Sequence, residues 1–358
     1  MQTFALKPTL FFGPDSLSAL HALSGQRVLI VTDSFLASSP LAQRLKDALS
    51  GASECQWFDQ VVPDPPLDVV AQGVAVLQSF QPQAIVAFGG GSPMDTAKGI
   101  RHFAPPELGS IPLWCVPTTA GTGSEVTSFA VLTDTAKGVK YPLVHDALRP
   151  DGAVLDPVLL AQAPPSVLAD TGLDALTHAA EAYVAQNASL FTDALAAEAV
   201  SLLLRSIPGG VSGDLSQRGI MLNASCMAGM AFDRAGLGLC HALAHSLGGL
   251  LHVSHGRLNA LLLPHVIRFN GQDGKAAAKY RALAKRCGLA ESVRGLASGV
   301  SRLARTAGLP ETLSACGKHP DNATLEKAVA GAMADPCFPS NPRTATAEEL
   351  RALLEEIL

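Results

Sequence analysis

The sequence predicts an α/β domain built on a parallel sheet, followed by an all-helical domain, with the boundary near residue 160. Three observations carry this. Short apolar runs at 28–31, 84–88 and 113–116 are continuous rather than alternating, as strands buried on both faces are, and each ends in glycine or a polar turn. Helical periods at 40–49 and 67–80 lie between these runs, and strand–helix–strand alternation builds a parallel sheet. After Asp156-Pro157 the texture changes to Ala- and Leu-rich sequence with helical spacing.

Taken in order, the first thirteen residues read as an opening strand and turn, without the basic, apolar and small-residue zones of a secretory signal. The run at 28–31 delivers Thr32-Asp33, the run at 84–88 delivers Gly89-Gly90-Gly91, and the run at 113–116 delivers Pro117-Thr118-Thr119. A fourth short run, 152–155, closes the first domain. In the second domain Pro164-Pro165 precede a helix expected from about Asp170, and turn signals stand at Pro208-Gly209-Gly210 and Asn270-Gly271. The last segment, 347–358, is an amphipathic helix.

Bulk properties narrow the function. The chain has 358 residues, 26 Lys plus Arg against 31 Asp plus Glu, a formal net charge of −5, 48% hydrophobic and 16% charged residues. A chain of this length buries a sizeable core and divides into domains. Its mildly acidic balance offers no basic patch for a phosphate backbone, which disfavours nucleic-acid binding. Nowhere is there a run of roughly 18 to 20 apolar residues, as a spanning helix needs, because the most apolar stretch, 236–263, is studded with histidines. The seven cysteines are widely spaced with no C-x-x-C pair, so they suggest neither a disulfide framework nor a thiolate zinc site. They read as buried small hydrophobes of a cytoplasmic protein.

Ligands of open parallel sheets bind at the carboxyl ends of strands, where the glycine and threonine turns fall. Gly89-Gly-Gly-Ser-Pro-Met-Asp95 leads from a strand into a helix, so backbone N–H groups there can meet a pyrophosphate; a tight turn is the alternative, since Met94 stands where the G-x-G-x-x-G fingerprint wants glycine. The turn from Pro117 to Glu125 adds hydroxyls suited to a cofactor, or to capping a helix. Asp33 suits ribose hydroxyls and would repel a 2′-phosphate, favouring NAD(H); as a turn aspartate it needs no ligand.

The histidines carry the strongest signal. His241 and His245 are four apart, Asp174 and His178 repeat that spacing on an earlier helix, and His255 follows, so each pair projects from one helix face. Such groups are costly to bury unpaired, and a divalent metal taking three imidazoles and a carboxylate would satisfy them. His252 is a competing ligand. Phe129, Phe232, Leu237 and Leu239 near these motifs suit an apolar pocket, or simply core.

Gly90-Gly-Ser-Pro-Met-Asp-Thr-Ala-Lys98, Pro117-Thr-Thr-Ala-Gly-Thr-Gly-Ser-Glu-Val-Thr127, the stretch from Gly172 to Tyr183 and Cys240-His-Ala-Leu-Ala-His-Ser-Leu-Gly248 resemble the iron-dependent alcohol dehydrogenases along the whole chain. The stretch from His255 and the ending Asn341-Pro-Arg resemble most the propanol and ethanol dehydrogenases of bacterial microcompartments. The resemblance implies a Rossmann-like dinucleotide domain over 1–160 and a helical metal and substrate domain over 161–358, the dehydroquinate synthase-like plan. It implies Asp174, His178, His241 and His255 as ligands of Fe²⁺, with Zn²⁺ as the alternative occupant. His245 is then a nearby non-ligand that handles a proton or orients substrate. Asp33, Gly90, Gly91, Ser92, Asp95, Thr118, Thr119 and Lys140 would form the NAD(H) contacts. Short-chain aldehydes and primary alcohols are the implied substrates, with a polyol dehydrogenase or a non-catalytic assembly component as alternatives. A cytoplasmic homodimer or larger oligomer follows, with microcompartment shell or enzyme partners. One departure stands out: Ser254 replaces the proline usual before the fourth ligand.

Overall fold

The computed structural model describes residue 4, residues 7–136 and residues 139–358, and the chain divides into two units, Met1–Ala163 and Pro164–Leu358. The first unit carries six parallel strands: β1 (Thr9–Phe12), β2 (Arg27–Val31), β3 (Glu54–Phe58), β4 (Ala84–Gly89), β5 (Leu113–Pro117) and, after a hairpin of β6 (Phe129–Asp134) and β7 (Val139–Val144), β8 (Gly152–Leu155). Their order across the sheet is β1-β8-β5-β4-β2-β3. Connecting helices are α1 (Ser34–Ala37), α2 (Pro40–Ala48), α3 (Leu67–Phe80) and α4 (Gly91–His102).

Register explains the continuous apolar runs. Leu29 pairs with Ile85 and Ile85 with Leu113, while Val31 pairs with Ala87 and Ala87 with Cys115, so two rows of side chains cross three strands on one face. These belong to the core that also takes Val70, Leu77, Met94 and Ile100 of α3 and α4. The alternate residues Val28, Ile30, Val86 and Phe88 are fully buried as well, so both faces of the central strands are covered. Each such side chain contributes about 1.5–3 kcal/mol.

From β2 the chain moves outward to β3 and returns on the other side of β2 as β4. The order therefore reverses between β2 and β4, and ligands of open sheets bind outside the carboxyl ends at such a point. Asp33 follows β2 and Gly89–Ser92 follows β4, on its two flanks.

The second unit is helical: α5 (Pro165–Val184), α6 (Leu190–Val211), α7 (Leu215–Ala235), α8 (Leu239–Leu251), α9 (His255–Asn270), α10 (Gly274–Arg286), α11 (Val293–Thr306), α12 (Asn322–Ala334) and α13 (Ala347–Glu355). Two boundaries differ from expectation. Helix α5 begins at Pro165 rather than near Asp170, because proline at a first helical position gives up only an N–H that has no partner there. Helix α6 runs through Pro208 to Val211. Its Gly209-Gly210 pair serves packing, since a Cβ at Gly210 would lie 2.3 Å from Met221 Sδ on α7. No helix among the described residues is long and apolar enough to cross a membrane.

Candidate metal centre and dinucleotide edge

Helix α5 lines up Asp174, His178 and Glu181 at i, i+4 and i+7 on one face, all three buried. Helix α8 brings His241 from its first turn, and α9 brings His255 as its first residue and Asn259 one turn later. The N-terminus of α9 reaches α5 because residue 256 is glycine; a Cβ there would sit 2.1 Å from the Asp170 carbonyl oxygen.

Ligand-type atoms of Asp174, His241 and His255 all lie within 4.8 Å of one another. The Asn259 amide nitrogen stands among them, 2.8 Å from Asp174 Oδ1, 3.2 Å from His241 Nε2 and 3.1 Å from His255 Nε2. Its orientation is fixed from behind, where Asn259 Oδ1 accepts from the Cys240 thiol at 3.6 Å. An amide NH₂ has two protons for these three acceptors. The set is one positive centre short, which a proton or a cation supplies. His178 stands beside the trio, its ring stacked between Phe232 and His241 with centroids 4.5 Å away on each side.

Glu181 aims His241. Its Oε2 lies 2.6 Å from His241 Nδ1 and accepts from Gly238 N at 3.0 Å, while Oε1 accepts from Cys240 N at 2.6 Å. An imidazole bonded through Nδ1–H to a carboxylate presents the Nε2 lone pair on its far side, the arrangement that orients metal-binding histidines. Electrostatics follow from the crowding. Burial alone would raise the Asp174 carboxyl, but His178, His255 and His241 outweigh it and hold it well below the usual range. Burial would lower His241, yet Asp174 and Glu181 raise it to about 9; His255 is lowered to about 3, chiefly by burial, with Asp174 opposing. Two buried carboxylates thus hold a proton on His241, and a divalent cation taking that proton's place would meet the same demand for positive charge.

His245 lies one helical turn beyond His241, its ring stacked on His255 at 5.1 Å between centroids. Its Nδ1 is 2.9 Å from Asp335 Oδ2. His252 does not join the cluster. It is an exposed left-handed residue (φ 52°) that ends α8.

In the first unit, Gly90 caps α4 without a side-chain hydrogen bond, so this helix N-terminus with Gly91 and Ser92 is free of side-chain caps. Thr118 and Thr119 follow the adjacent strand, and Thr118 N donates to Gly89 O at 3.0 Å, joining the two turns. Asp33 Oδ1 caps α1 by accepting from Leu36 N at 2.8 Å. Asp95 is turned inward: Oδ1 accepts from Ser124 Oγ at 2.7 Å and Oδ2 from Val131 N at 3.0 Å. Fully buried Lys98 joins the same staple, donating to Ser124 Oγ, Thr127 Oγ1 and the Phe129 carbonyl at 2.8, 3.1 and 2.6 Å. Lys140, on β7, pairs with Asp64 at 2.6 Å on the surface.

Comparison with known proteins decides the family. The family model described as iron-containing alcohol dehydrogenase matches residues 8–157, and that of the Fe-containing alcohol dehydrogenase C-terminal region matches residues 168–358. The chain belongs to the iron-containing alcohol dehydrogenases. It is 45% identical over 371 aligned positions to the 1-propanol dehydrogenase PduQ of Citrobacter freundii, covering all of both chains. A solved 1,3-propanediol oxidoreductase matches with a TM-score of 0.94 at 34% identity, again over all of both chains. The sulfoacetaldehyde reductase of Bifidobacterium kashiwanohense, solved with NAD⁺, matches with a TM-score of 0.91 at 26% identity, covering 100% of this chain and 98% of that one. The chain is therefore an oxidoreductase that interconverts alcohols and aldehydes.

In this alcohol dehydrogenase several site residues escape a reading of the histidine spacing. Glu181 and Asn259 continue the helical periodicity of Asp174–His178 and of His255 by one turn each, a signal present in the sequence. Asp335 has no such signal, because its contact with His245 spans 90 residues.

Proposed function

We propose that this dehydrogenase interconverts short-chain primary alcohols and aldehydes, 1-propanol with propanal and ethanol with acetaldehyde, using NAD(H) and Fe²⁺ held by Asp174, His178, His241 and His255. The observation that carries the reading is the convergence of Asp174, His241 and His255 on the single Asn259 amide donor. When bound, the metal supplies Lewis acidity to the substrate oxygen, and the nicotinamide supplies or takes the hydride. The protein's own residues do the placing. Glu181 holds the His241 ring, and Asn259 steadies the Asp174 carboxylate, its contacts with the two Nε2 atoms giving way when these take the metal. Asp335 engages Nδ1 of His245, leaving Nε2 to take a proton from the alcohol or return one to the alkoxide. Phe232, packed on His178, contributes apolar wall. Such a wall separates substrates differing by one methylene by only about 10- to 200-fold, so propanal and acetaldehyde both serve.

For the dinucleotide, the N-terminus of α4 with Gly90, Gly91 and Ser92 suits the pyrophosphate, and Asp33 suits the ribose, with Oδ1 already used in capping. Thr118 and Thr119 offer hydroxyls beside that turn, while Asp95 acts by holding α4 against the 124–131 segment. Asp33→Gly is expected to narrow the ratio of kcat/KM with NADH to that with NADPH. An unchanged ratio would remove Asp33 from cofactor selection. We further propose a cytoplasmic homodimer or larger oligomer housed with partner enzymes in a microcompartment, as the resemblance of the stretch from His255 and of the ending Asn341-Pro-Arg implies; co-fractionation with isolated shells tests it.

The test of the activity is NADH oxidation with propanal by anaerobically purified protein, in Fe²⁺-loaded, Zn²⁺-loaded and chelated forms. Iron-dependent turnover lost on chelation is expected. Absence of turnover in every form, with metal and NADH bound, would overturn the substrate class.

A further inference from the structure

His245, Asp335 and Cys337 form a second group whose ligand-type atoms all lie within 4.8 Å of one another. His245 comes from α8, and the other two from the turn that follows α12. We propose that this trio is a second site, separate from the Asp174 centre, for a thiophilic divalent cation such as Zn²⁺.

The donor set is the first reason. One imidazole, one carboxylate and one thiol make a mixed N/O/S site, which suits zinc or cobalt; the thiol-free set around Asp174 makes no such selection. Pre-organisation is the second. Asp335 Oδ2 is 2.9 Å from His245 Nδ1, and Oδ1 accepts from Cys337 N at 2.8 Å, so one carboxylate already holds the other two residues. Tetrahedral zinc with bonds of about 2.0–2.3 Å needs ligand separations near 3.3–3.6 Å, which fall within the range here, from 2.9 Å between His245 Nδ1 and Asp335 Oδ2 to the 4.8 Å limit of the cluster. Access is the third, because the His245 side chain is 42% exposed.

Charge sets the cost of binding. Burial, then Asp335 and Glu181, push the Cys337 thiol well above its ordinary range, so without a cation it stays protonated. A bound divalent cation reverses this balance: the S–H bond breaks, the S–metal bond forms and the proton leaves to solvent. Coordination through Nδ1 displaces the proton shared with Asp335 to Nε2, which then has no lone pair with which to take a proton from the alcohol. Zinc would then inhibit the iron-loaded enzyme without displacing iron. This inhibition rests on the proton role proposed above for His245; the binding does not.

The full-length chain, stripped of metal and titrated anaerobically with Co²⁺, tests the site. Two equivalents are expected to bind, with a thiolate-to-cobalt charge-transfer band in the near ultraviolet. Cys337→Ser should lose the band and one equivalent. Asp174→Ala should lose one equivalent and keep the band; if it keeps both equivalents, the primary centre is misassigned while the second site stands. In the wild-type chain, Zn²⁺ added to the cobalt-loaded protein should also bleach the band, a readout that needs no variant. A single equivalent without the band, a second equivalent without it, a band that survives Cys337→Ser, or a band that Zn²⁺ leaves in place would each overturn the proposal.

Discussion

Glu181 has three donors to satisfy, His241 Nδ1–H and the amides of Gly238 and Cys240, and two carboxylate oxygens with which to do it. Glu181→Gln keeps the shape but turns one acceptor into an NH₂ that must face a donor. The His241 ring loses its fixed aim, and metal affinity is expected to fall about 10- to 100-fold, read as metal retained against a graded series of chelators. Retention equal to wild type would show that His241 is oriented by packing alone. Glu125 poses the opposite problem, as its Oε1 has no hydrogen-bond partner among the described residues. Burial lifts its carboxyl to about 7, against its own backbone N–H and Lys98. An unfolded chain releases that proton at about pH 4.3. Between these values the folded state holds a proton that the unfolded state does not, so Glu125 costs stability as pH rises through that window. Glu125→Gln should therefore raise Tm relative to wild type at pH 8 and leave it nearly unchanged at pH 4. Parallel Tm–pH curves would count against the shift. At this scale the sequence is readable where helical spacing speaks, at Asp174 and His178 or His241 and His245. It is silent where a residue's partner lies far along the chain, as for Asp335.

Among the elements, the junction of α8 and α9 carries Ser254, where the sequence departs from the pattern it resembles. Ser254, standing where the family usually has proline, caps α9 by accepting from Arg257 N at 3.4 Å and donates to Asp170 Oδ2 at 2.7 Å. Arg257 grips the same carboxylate from Nε and Nη2, both at 3.2 Å. Hydrogen bonds to α5 thus hold the segment that a proline ring would stiffen, and His255 follows at once. Ser254→Ala is expected to cost about 1 kcal/mol as a lost cap, and to quicken metal loss to chelator. A lower Tm with an unchanged loss rate would confine Ser254 to a capping role. The glycine turns after β4 and β5 announce themselves because glycine punctuates a continuous apolar run. The β6–β7 hairpin does not: burial alternates from Phe129 to Thr133, but Phe129 and Val131 on the less buried face are apolar too, so no polar alternation marks the strand in the sequence. Pro208 misleads for a related reason, because the cost of proline inside α6 is met by tertiary packing against α7 rather than by a local turn.

Over the whole molecule, the texture change after Asp156 and the buried strands are legible because burial on both faces of a parallel sheet leaves no polar alternation. The strand order is not, since nothing local in β3 or β4 says on which side of β2 each will pair. The distribution of the candidate site along the chain leads to a prediction at this scale. Asp174, His178, His241 and His255 all fall within Pro164–Leu358, while the glycine turns and Asp33 fall within Met1–Ala163. A ligand that binds only the folded form stabilises what it binds, by about 2.7 kcal/mol when its free concentration is a hundred times Kd. Adding Fe²⁺ or Zn²⁺ to the stripped protein should therefore slow amide exchange in α5, α8 and α9, whose local openings separate the ligands, and leave β2, β4 and β5 nearly unchanged. NADH should give the converse pattern, protecting the N-terminus of α4 and the turn after β5. Metal that leaves α5, α8 and α9 exchanging as before would mean that these histidines are not its ligands. Slowing spread evenly over both units would mean that the chain opens as one cooperative body, and the site would then have to be mapped by substitution, beginning with Asp174→Ala.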